Sequence, residues 1–169
     1  EAFLYMNLAS VEIKRQQWDQ AIKYLTQCRE LCARIDAEDF LAEAYRHLAE
    51  AYLGLGQTDQ AEEWAKKSLE LASAQEMKLE EGMTRKVMGQ IHRARSDWDV
   101  AERELRAGLT ILEALDSQYQ VGQTLFQLAQ LYRDLGHDGS FRETIHRAIV
   151  IFAGLGAQLD LERSRALAS

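Results

Sequence analysis

The chain repeats itself every 40 residues, and that period restricts the fold more than any other property of the sequence. In register, Leu8, Leu48, Met88 and Leu128 form one column, each followed by a small residue: Ala9, Ala49, Gly89 and Ala129. Further along, Ala21, Ala61 and Ala101 align, with Phe141 interrupting the fourth copy. Leu25, Ala65, Leu105 and Ile145 form an apolar column, as do Leu31, Leu71, Ile111 and Ile151. Small residues recur at Cys28, Ser68, Gly108 and Ala148. A fixed period of this size marks a stacked array, in which one repeat buries its apolar face only against its neighbours.

Within a repeat the apolar spacing is helical. Leu41, Ala44, Tyr45, Leu48, Ala49, Tyr52 and Leu55 follow steps of three and four, one face of an amphipathic helix. Gly56 ends that helix, because glycine is favoured just past a helix C-terminus. A second periodic segment runs from Thr58 through Ala61, Ala65, Leu69 and Ala72. Each repeat therefore reads as helix, tight turn, helix. Gly136 closes a first helix in the same way. Ser96 with Asp99 reads as a capping box for the third repeat's second helix. In the fourth repeat that box slides to Ser140 and Glu143, which predicts a second helix starting a few residues late. The small columns let paired helices close to the usual 8–10 Å separation.

Composition excludes several classes. Among 169 residues, 27 acidic against 20 basic side chains leave a net charge of −7, with no basic footprint for nucleic acid. The longest uncharged stretch, Ser117 to Tyr132, falls short of the roughly 20 apolar residues of a membrane span and holds several glutamines. Two cysteines, Cys28 and Cys32, sit one helical turn apart, a spacing that suits small buried residues better than a disulfide. That usage fits a reducing, cytoplasmic setting. There is no proline, so long uninterrupted helices are expected. The start at Glu1, without a basic-then-apolar leader, reads as a piece of a longer chain.

The columns Tyr45, Leu48, Ala49, Tyr52, Gly56, Ala61 resemble the tetratricopeptide repeat family. So do Tyr5, Leu8, Ala9, Trp18, Ala21 in the first copy and Met88, Gly89, Trp98, Ala101 in the third. The resemblance implies an all-α fold, a right-handed α-solenoid of stacked antiparallel helix pairs. As a single domain over 1–169 it would hold four repeats, at about 1–40, 41–80, 81–120 and 121–160, with a capping helix at about 158–169. The period of 40 is longer than the family's usual 34, and the prolines that commonly end its repeats are missing. The segment from Ile151 to Ala168 is similar to the ends of such arrays in large bacterial regulators, which also carry ATPase, cyclase or DNA-binding modules.

No catalytic pattern accompanies these repeats. His92 shares a column with Tyr52 and Tyr132 and reads as a packing residue; His47, His137 and His146 stand in no metal-binding spacing beyond a loop pairing with Asp138. There is no His-Glu-x-x-His, no glycine-rich phosphate cradle and no nucleophile with a base. The expectation is a non-enzyme without cofactor or metal.

Function then has to come from shape. In the resembled family the first helices line a concave surface, which by register places Phe3, Met6, Asn7, Ser10 and Lys14 there in the first repeat. Glu43, Arg46, His47 and Glu50 follow in the second, and Met83, Lys86, Val87, Gln90 and Arg93 in the third. The fourth gives Gln123, Phe126, Gln127, Gln130 and Arg133. Arg46, Lys86, Arg93 and Arg133 form a basic thread suited to carboxylates, and the glutamines suit a peptide backbone. The sequence therefore points to an interaction scaffold, in a regulatory or signalling protein, that holds a protein or peptide segment carrying acidic groups. Solubilising charge alone is the plainer reading of the same residues. A structural spacer, or an oligomerisation element self-associating through its end repeats, is the alternative function.

Overall fold

From the second helix to the ninth, successive helices begin 20 residues apart, so the 40-residue sequence period is two equal structural steps. The computed structural model describes residues 1–35 and 37–169, and these residues form nine helices. They are α1 (Ala2–Lys14), α2 (Trp18–Arg34), α3 (Glu38–Gly54), α4 (Thr58–Ala74), α5 (Lys78–Ala94), α6 (Trp98–Ala114), α7 (Gln118–Asp134), α8 (Asp138–Leu155) and α9 (Gln158–Ala168). No helix among them is long and apolar enough to cross a membrane.

The turns explain the regularity. Gly56, Glu76, Ser96, Asp116, Gly136 and Gly156 all have φ between 52° and 75°, the left-handed region. The next residue's N–H reaches back five residues: Gln57 to Tyr52 at 2.9 Å, Met77 to Ala72 at 2.8 Å, Asp97 to His92 at 2.9 Å, Ser117 to Leu112 at 3.0 Å. This is the Schellman closure, which satisfies carbonyls orphaned at a helix end. The same turn joins the helices within a hairpin and the hairpins to one another.

Two expectations about helix starts are corrected by these turns. Ser96 occupies the left-handed position, and Asp97 is the residue before α6; its side chain makes no capping bond, so no Ser96–Asp99 box forms. Likewise α8 starts at Asp138, in register with Thr58 and Trp98. Gly139 and Ser140 lie inside its first turn rather than delaying it, because the turn at Gly136 already fixes where the next helix begins.

Packing follows the chain order. Each helix packs on the next, and α1, α3, α5, α7 and α9 also touch one another in succession. The small columns are where helices meet: Ala9, Ala49 and Ala129, with Ala21, Ala61 and Ala101, are fully buried. Gly108 of α6 shows how close the approach is. A Cβ added there would lie 2.8 Å from the carbonyl oxygen of Gly82 on α5. The interrupting Phe141 is accommodated half-buried against the C-terminal core formed by Leu128, Leu131, Tyr132, Phe152 and their neighbours. Cys28 and Cys32 are buried and unbonded, with their sulfurs 3.9 Å apart, and burial pushes the Cys28 thiol up to about 12.

Candidate functional site: the groove of the first helices

The first helices leave a groove of about 760 Å³ along their shared face. It runs from Ser10, Ile13 and Lys14 on α1 to Asp160 and Arg163 on α9. The side chains between arrive at helical spacing. Glu43, Arg46, His47 and Glu50 come from α3, Leu79, Met83, Lys86 and Gln90 from α5, and Tyr119, Gln120, Gln123, Phe126 and Gln127 from α7. A shallower recess beside it is lined by Gln90, Arg93, Gln127, Gln130 and Asp134.

Most of the residues placed on this surface by register are therefore brought together. Lys14, Arg46, His47, Glu50, Lys86, Gln90, Phe126 and Gln127 line the main groove, and Arg93 and Gln130 the recess. Asn7 and Arg133 are exposed and line neither. Val87 and Met6 face the core instead. Sequence reasoning missed Leu79 and Tyr119, which continue the stripe one turn toward the helix N-terminus. It also missed Asp160 and Arg163, which stand one period after Gln120 and Gln123; extending the same columns into the last helix finds both.

Two cations of the basic thread, Arg46 and Arg93, are taken up by pairs within the protein. Arg46 is 5% exposed and donates to Glu80 at 2.5 Å and to Glu50 at 3.2 Å. Arg93 pairs with Asp134 at 2.7 Å and donates to Gln130 at 3.1 Å. His47 Nδ1 lies 2.9 Å from Glu50, and its Nε2 faces Glu43 at 3.6 Å and the Arg46 guanidinium at 3.4 Å. Burial and Arg46 disfavour the imidazolium, but Glu50 and Glu43 outweigh them and raise His47 above its ordinary value. Burial likewise opposes ionisation of Glu50, and His47 and Arg46 together hold it well below the carboxylate range.

Lys86 differs from its neighbours. It is 9% exposed, and among the described residues no carboxylate lies within ion-pair distance of its ammonium. Nζ donates to the amide oxygens of Gln123 at 2.9 Å and Gln120 at 3.5 Å. Gln123 in turn donates to the Tyr119 hydroxyl at 3.1 Å, and Tyr119 donates to Asp160 at 3.0 Å. Burial pushes the Lys86 amine below its ordinary value, only partly offset by the fields of Glu50 and Glu80.

With this geometry in place, comparison with known proteins shows what the fold is similar to. A tetratricopeptide repeat family model matches residues 1–74, from α1 to the end of α4. The same helix-turn-helix hairpin continues through the rest of the stack, so beyond residue 74 the likeness is one of fold. Among solved structures it is similar to aspartyl phosphate phosphatase F from Bacillus subtilis, at 18% identity and a TM-score of 0.84, over 98% of this chain and 44% of that one. It is also similar to a Rap protein complexed with competence and sporulation factor, at 19% identity and a TM-score of 0.89, over 97% of this chain and 46% of that one. A kinesin light chain from P. anserina with nearly identical TPR-like repeats matches at 17% identity and a TM-score of 0.57, over 97% of this chain and 93% of that one. The chain spans under half the length of the first two proteins. At these identities the likeness is one of fold. Among curated proteins, none gives a significant sequence match.

Proposed function

We propose that this array is an interaction scaffold that holds a segment of a partner protein along the groove of its first helices. Tetratricopeptide-like folds are typical of protein–protein interaction scaffolds, and the reading rests on one observation about this one. The groove of about 760 Å³ alternates apolar side chains (Leu79, Met83, Phe126) with glutamine amides (Gln90, Gln123, Gln127). Apolar walls with a few convergent polar groups suit a bound chain, since amides both donate to and accept from a peptide backbone. One structural relative was solved with a competence and sporulation factor, which accords with a holding role for arrays of this shape. We read α9 as a cap on the stack and the whole chain as a cytoplasmic, regulatory module without catalysis of its own.

Filling the groove tests the proposal. Gln90→Trp together with Gln127→Trp blocks it without touching the buried ion pairs. Proteins captured from a lysate by the parent chain and lost by the doubly substituted chain support the reading. A capture profile identical for both rejects groove binding. Self-association through the end repeats is the second reading, favoured by Phe3 and Leu4, 63% and 58% exposed on α1. A concentration-dependent dimer in sedimentation, abolished by Phe3→Ser with Leu4→Ser, supports it.

A further inference from the structure

At the middle of the groove the charged side chains mostly pair with one another, whereas Lys14 and Arg163 stand exposed at its ends. Arg46 is held by Glu80 and Glu50, and His47 by Glu50 and Glu43. Among the described residues, Lys86 is the buried cation of this face that has only neutral oxygens against it. A buried ammonium without a counter-ion is costly, and charge-assisted hydrogen bonds to a carboxylate are its strongest remedy. We propose that Lys86 is the seat for a single carboxylate, carried by an internal aspartate or glutamate of the bound segment.

Position decides between a side chain and a chain terminus. Lys86 lies in the third of five first-type helices. The groove continues from it toward Ser10 and Lys14 in one direction and toward Asp160 and Arg163 in the other. A C-terminal carboxylate on Lys86 would leave half of that length empty, whereas an internal acidic residue lets the segment run both ways. The number of carboxylates is limited by the walls. Around Lys86, Glu43, Glu50 and Asp160 border the same space, so a second acid beside the first meets like charge; Lys14 and Arg163 stand only at the groove's two ends. The seat is also pre-oriented. Asp160 accepts from Tyr119, Tyr119 accepts from Gln123, and Gln123 presents its oxygen to Lys86. An arriving carboxylate replaces the Gln123 oxygen on Nζ, and the freed amide can turn to the segment's backbone.

This inference rests on the groove reading above, and the test separates the two. Three random-flank peptide libraries are presented to residues 1–169. One is amidated with a central glutamate, one amidated with a central glutamine, and one lacks internal acids but ends in a free carboxylate. The expected result is selection of central-glutamate peptides, binding roughly tenfold or more tighter than their glutamine twins, in line with the 1.5–3 kcal/mol of a charged hydrogen bond. In Lys86→Met that preference disappears while binding of the glutamine twins persists. Wild-type NMR adds a readout independent of the variant's folding: glutamate peptides shift the Lys86 Cε and Hε resonances and glutamine peptides do not. Equal affinity for glutamate and glutamine twins overturns the seat and leaves peptide binding intact. A preference for the free C-terminus overturns the internal assignment. Tighter binding of peptides with a second acid next to the central one overturns the single-charge limit. Binding of no library member removes the groove reading and this proposal with it.

Discussion

Arg46 and Glu80, on the first helices of adjacent hairpins, bind each other at 2.5 Å with both side chains under a tenth exposed. A single substitution should therefore be much worse than the pair. Arg46→Met strands a buried carboxylate and should lower stability by about 3–5 kcal/mol, whereas Arg46→Met with Glu80→Met should recover most of that loss. Denaturant titration of the two single substitutions and the double provides the cycle. A double substitution no better than either single one argues against a direct pair.

The turns make a second prediction. Ser96 holds φ of 62° where the equivalent positions in other hairpins are Gly56 and Gly136. A residue with a Cβ is disfavoured there by about 1 kcal/mol. Ser96→Gly should raise the unfolding midpoint, and Gly56→Ala should lower it by a similar amount. Thermal melts of both chains check the signs.

Glycines inside helices divide by surroundings rather than by position. Gly108→Ala drives a Cβ into the Gly82 carbonyl and should destabilise by about 1–3 kcal/mol. Gly154, inside α8 with nothing within 4 Å of an added Cβ, should gain about 0.5–1 kcal/mol on replacement by alanine. The contrast is measurable by chemical unfolding of the two single substitutions.

Acid should weaken the fold through specific carboxylates. Glu50 is held low by His47 and Arg46 against its burial, and Glu62 is held at about 2, first by its hydrogen bonds from Lys66 and Arg95. A depressed folded value gives stability that is complete above the ordinary carboxylate range and is lost as pH falls through the folded value. His47 has the opposite sign: its raised value contributes below about 6.5 and fades as pH rises past the folded value. Glu50→Gln should lower the His47 midpoint in an NMR titration and flatten the stability change near neutrality. An unmoved His47 midpoint contradicts the assigned partnership.

The repeat period, the helix faces and the small-residue contacts were legible in the sequence because burial forces the same residue class into the same column. Leu48, Ala49 and Ala61 could be placed without coordinates. The turns without glycine were not legible. Glu76 carries no compositional mark of a left-handed residue and Asp116 only a weak one, and the carbonyls left to be satisfied at the helix end select that conformation. Ser96 misled for a related reason, since serine is a good N-cap and the helix start was placed one residue too early. In the groove, register identified the stripe from Arg46 to Gln127, but charges were counted as free. That Arg46 and Arg93 are neutralised by Glu80 and Asp134 depends on neighbours 34 and 41 residues away, which no local pattern reveals.

The hollow bordered at one end by Lys14 and at the other by Asp160 makes the whole coil a single spring. Its mouth is set by a small rotation at each of the joints between, so a slight tightening shared among them adds up along the stack. Substitutions at a joint such as Glu76 or Asp116, which do not line the hollow, can thus change its width.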